Sequence, residues 1–292
     1  MSSRYWSYAA SVLLALAASS TLVASVFAKD KGKKKQHRDA TAAGAGDQRI
    51  VVDGVRESSG IAAHPGLHHL FVVGDEGTVG ELDAEGRTIG VDRVAGNLED
   101  LAYHPPSGTL VLLVEDPPGL VVYDPAAHRE KRRITLDVAS LLQSRAPSGG
   151  KGRGFEGLAF RPEPGRAGGG VFYLAHQRSP AMVVAAAFDP MQAATVGNEA
   201  VVDRWRMDPY QHLTAISYEA SSDRFLLIAD RRLVVLGTDG KTRARSEALA
   251  LVQPEGVCVD ERGALWMVDD PAGLVRFAGG VAALTGGTTD LR

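Results

Sequence analysis

Three glutamates and two hydroxyl side chains recur at matching positions in five similar segments of this 292-residue chain. Each segment opens with one of these residues and continues with alternating apolar positions, as a half-buried strand does. The residues are Ser59, Glu99, Glu156, Thr214 and Glu255, at spacings of 40, 57, 58 and 41. Oxygen ligands of this kind suit Ca²⁺, which takes about 6–8 of them at roughly 2.3–2.6 Å. The five positions are therefore candidate calcium ligands.

A second set of mostly acidic residues follows the next apolar run of each segment. These are Asp75, Asp116, His176 or Gln177, Asp230 and Asp270, and the four aspartates are further candidate metal ligands. Neither set contains Lys or Arg, although Arg178, Arg231 and Arg232 adjoin the second set. Carboxylates that converge without a counter-charge are unfavourable, so a bound cation or a shared proton must relieve them.

The cation that these residues predict is Ca²⁺, because Zn²⁺ prefers His and Cys and Mg²⁺ needs a tighter octahedron. Two alternatives stay open. Each glutamate accepts backbone N–H bonds at a junction between repeats, or the carboxyl groups share protons.

Short strands are the elements that must hold these residues. Each segment is followed by a turn, a second apolar strand, another turn and a third strand, and a more polar fourth strand closes most units. Four short antiparallel strands every 40–60 residues are typical of a propeller blade. Residues 48–292 allow 49 residues for each of five blades, which predicts an all-β, five-bladed β-propeller.

The fifth unit is one outer strand short, and the segment QRIVVDG at 48–54 alternates as a strand does. We expect this segment to pair into the fifth blade and close the ring, because closure removes an open sheet edge. In a propeller the first residue of each innermost strand and the last residue of the second strand lie at the same mouth of the central channel. Both polar sets are therefore expected to meet there.

Side chains outside the two polar sets are assigned mostly to the core or the surface. Trp205, Trp266, Phe172 and Phe225 lie within strands and are expected in the core between blades, as is Cys258. His64, His104 and His128 fall in turns and are expected at the surface.

Composition narrows the class of protein. The chain is 45% apolar and 23% charged, which is typical of a folded domain, and one cysteine excludes an internal disulfide framework. Residues 48–292 hold 25 basic and 32 acidic residues, a formal charge of −7. This acidic body argues against nucleic-acid binding. We expect a monomer.

The N-terminal residues have the pattern of a targeting segment rather than of a folded element. Residues 5–28 carry no formal charge, which predicts a signal peptide or a membrane anchor over 1–28. A basic linker follows over 29–47, and its run at 29–38 is expected to be solvated or to touch anionic lipid. We therefore predict a cell-envelope protein, periplasmic, secreted or anchored in the inner membrane, with its propeller domain at 48–292 facing the periplasm.

Several motifs in order resemble the SdiA-regulated (YjiK-like) family. They are LEDLAY, GFEGLAF, HLTAISYEASSDRFLLIADR and QPEGVCVDERGALWMVDDP, within roughly residues 50–280. The resemblance implies a five-bladed propeller distantly related to NHL-repeat propellers, a calcium site and no established activity. It carries the calcium role onto Glu99, Glu156 and Glu255. Thr214-Ala215 and Asp269-Asp270 depart from the family's usual Ser-Gly and Ser-Glu.

Two function classes fit these features. The first is a calcium-containing envelope module that binds a small molecule, a glycan or a partner protein and is not an enzyme. The second is a calcium-dependent hydrolase of lactones or esters, by analogy with other propellers. In that alternative His176 or His212 is the general base, and residues 143–153 form a lid. The sequence leaves open whether the protein is an enzyme.

Overall fold

The computed structural model describes residues 47–143, 154–178, 180–271 and 273–286. The segments predicted as signal or anchor and almost all of the linker and the 143–153 loop lie outside the described residues. Within them the chain forms five antiparallel sheets in chain order around a common axis, the predicted five-bladed β-propeller. No helix among the described residues is long and apolar enough to cross a membrane.

Each blade has four antiparallel strands, numbered outward from the axis. The first blade contains β2 (Ser58–His64), β3 (His69–Gly74), β4 (Thr78–Leu82) and β5 (Thr88–Arg93). The second contains β6 (Leu98–His104), β7 (Thr109–Val114), β8 (Gly119–Asp124) and β9 (Arg129–Leu136). The third contains β10 (Phe155–Pro162), β11 (Gly170–His176), β12 (Met182–Ala186) and β14 (Val201–Arg206).

The remaining two blades follow the same plan. The fourth contains β15 (Leu213–Glu219), β16 (Arg224–Ala229), β17 (Arg232–Leu236) and β18 (Thr242–Arg245). The fifth contains β19 (Pro254–Val259), β20 (Leu265–Asp269), β21 (Gly273–Phe277) and, from the start of the described chain, β1 (Asp47–Ile50). A short strand β13 (Thr195–Val196) adds in parallel to β9.

Two short helices and the ring closure complete the architecture. Helix α1 (Val138–Leu142) follows β9, and α2 (Gly280–Thr285) follows β21. Strand β1 pairs antiparallel with β21, from Asp47 opposite Phe277 to Ile50 opposite Leu274. The prediction that an N-terminal strand closes the fifth blade is confirmed.

The core lies between the blades. The second strands are continuous apolar runs, such as TLVLLV in β7, because both faces of each blade pack against a neighbour. Trp266, Phe172 and Phe225 are fully buried, and Trp205 and Cys258 are nearly so. The expectation of an interblade core at these positions is confirmed.

His64 and His104 correct the expectation that turn histidines lie at the surface. They are the last residues of β2 and β6, and they are only 5% and 1% exposed. His104 Nε2 lies 2.8 Å from Gly168 O in the hairpin of the next blade, and His64 Nε2 lies 3.4 Å from Gly108 O. Both histidines therefore connect neighbouring blades, whereas His128 is exposed as expected.

The pairing of β1 generates a stability prediction. Arg49 Nη1 donates to Asp269 Oδ2 at 3.0 Å, and the Asp269 side chain is fully buried. We expect Arg49→Ala to lower the free energy of unfolding by about 1.5–3 kcal/mol, because a buried carboxylate loses a charged donor. Urea denaturation followed by circular dichroism measures the change.

A matched control is Arg87→Ala, which removes an Arg with a 75% exposed side chain from its pair with Asp83. It should cost less than about 1 kcal/mol. Equal losses in the two variants would show that β1 does not secure the ring in this way.

Candidate functional site

A β-bulge at the start of every innermost strand positions the predicted ligands. In each blade the pairing between the first and second strands shifts register and skips one residue. The skipped residues are Ser59, Glu99, Glu156, Thr214 and Glu255. A bulge leaves its extra residue out of the ladder and redirects the side chain. The repeat found in the sequence is thus a repeated backbone distortion.

Five equivalent backbone hydrogen bonds fix the second polar set beside the first. In each blade, the N–H of the residue that follows the second strand donates to the carbonyl two residues before the bulge. The bonds are Asp75 N to Glu57 O, Glu115 N to Asn97 O, Gln177 N to Gly154 O, Asp230 N to His212 O and Asp270 N to Gln253 O, at 2.9–3.2 Å. Three matching positions per blade therefore surround one mouth of the channel.

These positions enclose a cavity of about 470 Å³, which we call the acidic cavity. It is lined by Ser59, Asp75, Asn97, Glu99, Glu115, Glu156, Gln177, His212, Thr214, Gln253 and Glu255. The lining has five carboxyl groups and no Lys or Arg. The cavity is thus a concentrated source of oxygen donors.

Amide and hydroxyl groups bridge the carboxyl groups. Asn97 Nδ2 donates to Glu99 Oε1 and to Glu115 Oε2, both at 3.0 Å. Gln253 Nε2 donates to Glu255 Oε1 at 3.1 Å. These amide donors hold each acidic side chain in one orientation, but they supply no positive charge.

The hydroxyl residues of the bulge set are also engaged. Ser59 Oγ donates to Asp75 Oδ1, and Thr214 Oγ1 donates to the Pro254 carbonyl of the next blade at 2.8 Å. Each hydroxyl oxygen keeps acceptor capacity while it donates. Both side chains line the acidic cavity with that oxygen already oriented.

Burial and mutual repulsion raise the pKa values of the three bulge glutamates. Burial, then the charge of Glu156, raises the pKa of Glu99 far above its usual range, and burial raises the pKa of Glu156 to a lesser extent. These two carboxyl groups share a hydrogen bond, so one of them carries the proton. Burial raises the pKa of Glu255 to about 7, against the hydrogen bond from Gln253.

Six of the predicted ligands come together, and three do not line the acidic cavity. The six are Ser59, Asp75, Glu99, Glu156, Thr214 and Glu255. In the second blade the matching position is held by Glu115, not Asp116, because β7 ends at Val114 and Glu115 N makes the equivalent bond. The residue predicted for this position, Asp116, follows the observed one, Glu115, in the Val-Glu-Asp run.

Asp230 and Asp270 occupy the matching positions of their blades, but neither residue lines the acidic cavity. Asp230 turns to its own loop, where Oδ1 accepts the N–H groups of Gln211 at 3.2 Å and His212 at 3.0 Å. Asp270 is near enough to Glu255 to raise the pKa of that carboxyl group. Both add negative charge around the cavity without lining it.

The two histidines proposed as bases differ in position. His176 is 3% exposed, its Nδ1 lies 2.8 Å from Pro180 O, and it does not line the acidic cavity. His212 lines the cavity, and its Nε2 lies 3.2 Å from Arg178 Nη2. Burial and Arg178 lower the pKa of His212, so its neutral ring accepts a hydrogen bond from the guanidinium.

Four residues that bear on the site were absent from the sequence prediction. Asn97 and Gln253 precede the bulge by two residues, and Glu115 replaces Asp116. Asp100 follows Glu99 and is 2% exposed. The repeat offered a signal for the first three, since each stands at a position that recurs in every unit.

Asp100 follows the bulge residue of β6 and makes hydrogen bonds to neighbouring blades. Its carboxylate accepts Leu101 N and Leu158 N at 2.8 Å each, and also the N–H of Ile216, so it connects three blades. A Cβ on Gly60 would lie 2.5 Å from Asp100 Oδ1. The other blades place only small residues at this level, namely Gly60, Gly157, Ala215 and Gly256. The Asp100 carboxyl group thus takes up space that the small residues of the other four blades leave at this level.

The donor set of the acidic cavity decides which metal ion the cavity could hold. Within the described ranges, no three His, Cys, Asp or Glu side chains are arranged as a metal-binding group. The chemistry of the lining nevertheless fits Ca²⁺ among biological cations, since it consists of oxygen donors apart from His212. Burial first, and then the neighbouring carboxyl groups, raise the pKa values of Glu99, Glu156 and Glu255.

The fold and the cavity define a five-bladed propeller with an acidic channel mouth. The family model of the SdiA-regulated family matches residues 45–278, and the chain belongs to this family. No curated protein matches the chain.

Solved structures with a similar course of the chain include the following two. One is the β-propeller domain of Cps50 (Swd1) from Myceliophteria thermophila, with 17% identity, a TM-score of 0.42, and coverage of 77% of this chain and 65% of that chain. The other is a streptogramin B lyase, with 9% identity, a TM-score of 0.40, and coverage of 75% of this chain and 64% of that chain. This chain therefore spans just under two thirds of either one.

The raised pKa values predict how stability depends on pH when EDTA removes divalent ions. A carboxyl group whose pKa is higher in the folded state binds more protons there, so stability falls as pH rises. For Glu255 the fall runs from its unfolded pKa of 4.5 through about 7. We expect the free energy of unfolding to decrease between about pH 5 and pH 8.

Glu255→Gln provides the comparison, because it removes one titrating group and keeps the shape of the side chain. Urea denaturation of both proteins at several pH values should show a shallower decrease in the variant. Parallel curves for the two proteins would contradict the raised pKa of Glu255.

Proposed function

We propose that the acidic cavity binds Ca²⁺ and that the protein is a ligand- or partner-binding module rather than an enzyme. One observation carries this proposal: five carboxyl groups line a single cavity whose lining contains no Lys or Arg. A bound cation relieves their repulsion while the carboxylates stay ionised, whereas protonation relieves it by neutralising the carboxylates themselves.

Calcium suits the arrangement better than other common divalent ions. The donors come from five separate blades, and their number exceeds the six of an octahedron, which favours the larger and more adaptable Ca²⁺ over Mg²⁺. Asn97 and Gln253 would then orient the ligands Glu99 and Glu255 from behind, as outer-shell partners do at metal sites.

A bound ion would leave room for a second molecule. The acidic cavity has about 470 Å³, within the range of about 300–1,000 Å³ that is common for small-molecule sites. Its polar lining favours a polar ligand, such as a glycan or an oxygen-rich small molecule, that completes the coordination of Ca²⁺. A partner protein with a carboxylate or carbonyl group would use the same opening.

The cell envelope is the proposed location. The uncharged residues 5–28 and the basic run at 29–38 support export or anchoring, with membrane association through these segments. Extracellular calcium sites work at concentrations of about 10⁻⁴–10⁻³ M, and a site at a channel mouth is open to that supply.

A calcium-dependent hydrolase is the second candidate, and the position of His212 favours it. His212 lines the acidic cavity and is neutral, as a general base must be. Its Nε2, however, accepts a hydrogen bond from Arg178, so that contact must open before the ring can take a proton. The binding module needs no such rearrangement.

Calorimetry of Ca²⁺ binding tests the proposal. Wild type should bind one ion, and Glu156→Gln should weaken binding at least about tenfold, because even outer-shell substitutions at metal sites cost about 10–100-fold. Glu76→Gln is the matched control, since Glu76 follows Asp75 directly, is exposed and does not line the cavity.

Two results would count against the ligand assignment. One is the absence of saturable Ca²⁺ binding in wild type. The other is equal affinity in wild type and Glu156→Gln. A screen of lactones and esters with and without Ca²⁺ then separates the two functions, since a hydrolase must lose turnover in His212→Gln while it retains Ca²⁺.

A further inference from the structure

The opposite end of the channel holds a second cavity of different chemistry. It has about 540 Å³ and shares no lining residue with the acidic cavity. Ten of its lining residues come from the same five innermost strands, three to four residues beyond each bulge, and most of the others lie at or just after the ends of these strands. At about 3.3 Å per residue, these positions lie about 10–13 Å along the strand from the bulge residues.

Two matching positions per blade build this second cavity, which we call the apolar cavity. The first set consists of small side chains and forms its floor: Ala62, Ala102, Ala159, Ser217 and Cys258. The second set forms its wall and includes three aromatic rings: Ala63, Tyr103, Phe160, Tyr218 and Val259. Small residues at every floor position leave space at the axis, and the rings offer flat apolar surfaces.

The charged groups at its rim are already occupied. Among the lining residues, Glu219 pairs with Arg224, Glu261 with His68, and Arg262 with Glu85. Asp260 accepts the N–H groups of Arg262 and Ala264 and the indole N–H of Trp266. Three of the four charged side chains of the lining therefore have a side-chain partner, and three carboxyl groups against one guanidinium disfavour an anion, so the lining favours an uncharged ligand over an anionic one.

The two cavities are separate along β6. Asp100 lies between Glu99 of the acidic cavity and Leu101 of the apolar cavity, is 2% exposed, and is held by backbone N–H groups of three blades. We therefore expect a molecule in the apolar cavity to make no contact with the carboxyl groups of the acidic cavity.

We propose that this cavity is a second binding site, for a small, uncharged, aromatic or otherwise flat apolar molecule. Its volume is in the range of small-molecule sites, and such sites are mostly apolar with a few polar groups. Ser217 supplies a hydroxyl at the floor, and the partly exposed Tyr103 and Tyr218 rings line the wall, where the buried Phe160 packs behind them against His104 and Phe172. The proposal does not rest on calcium binding at the other mouth.

Fluorescence titration with N-phenyl-1-naphthylamine, a neutral aromatic probe, tests this site in the full chain. We expect saturable binding of one equivalent, unchanged by EDTA. The sulfonated analogue 1-anilinonaphthalene-8-sulfonate should bind at least tenfold more weakly, because the lining has no unpaired cation for its sulfonate.

Ala63→Trp fills the entrance and should weaken probe binding at least tenfold. The other blades carry Tyr103, Phe160 and Tyr218 at the matching position, so the fold accommodates a large ring there. Ala127→Trp is the control, because Ala127 is exposed in the turn between β8 and β9. Unchanged binding in a folded Ala63→Trp protein would overturn the proposal.

Methyl NMR of alanine-labelled wild type locates the probe without any substitution. The ring current of the bound probe should shift the methyl signals of Ala62, Ala102 and Ala159, which come from three different blades. Binding that shifts other alanines and leaves these three unchanged would place the probe elsewhere and overturn the assignment, as would the absence of saturable binding.

Discussion

Electrostatic repulsion among the carboxyl groups at one channel mouth is the constraint on which the site depends. The propeller brings Asp75, Glu99, Glu115, Glu156 and Glu255 into one cavity although they are far apart in sequence. Burial removes the water that would screen their charges, and the lining offers no cationic side chain. The raised pKa values express that conflict, and a proton or a divalent cation resolves it.

The bulges make this arrangement possible. A regular strand would pair each of these residues with the second strand of its blade, whereas the bulge removes it from the ladder and leaves it facing the channel mouth. The cost is a small local defect in each blade. The hydrogen bond from the end of the second strand restores the pairing two residues earlier. Five repetitions of this local geometry produce one cavity.

Much of the fold and part of the site were predictable from sequence. The apolar strands and their period specified five blades and the closing strand, because packing on both faces demands such runs. Ser59, Glu99, Glu156, Thr214 and Glu255 were found because they recur in register. The prediction named Asp116 instead of Glu115. A sequence does not show which residue is the last paired one in a strand that is followed by two acidic residues.

The positions of other residues could not be predicted from the sequence, because they depend on contacts between distant parts of the chain. Asp100 looks in sequence like a second exposed acid beside Glu99, and only the close approach of three strands shows that its carboxylate bonds across blades. His64 and His104 lie next to proline turns, yet contacts with the following blade bury them. Long-range contacts of this kind leave no periodic signal in the chain.

The two channel mouths use the same strands for opposite chemistry. One end gathers carboxyl groups at the bulges, and the other gathers alanines and aromatic rings three to four residues further along. Along β6, Asp100 lies between them. If both proposals hold, one propeller would bind a cation and an apolar molecule at opposite mouths of its channel.

Proton release on Ca²⁺ binding tests the central claim most directly. Calorimetric titrations at pH 7 in buffers of different ionisation enthalpy give the number of protons released per ion. Because the raised pKa values of Glu99, Glu156 and Glu255 favour protons that the ion must displace, we predict release of about one proton or more per Ca²⁺. Tight binding with no proton release would show that the carboxyl groups are already ionised, which would contradict the account.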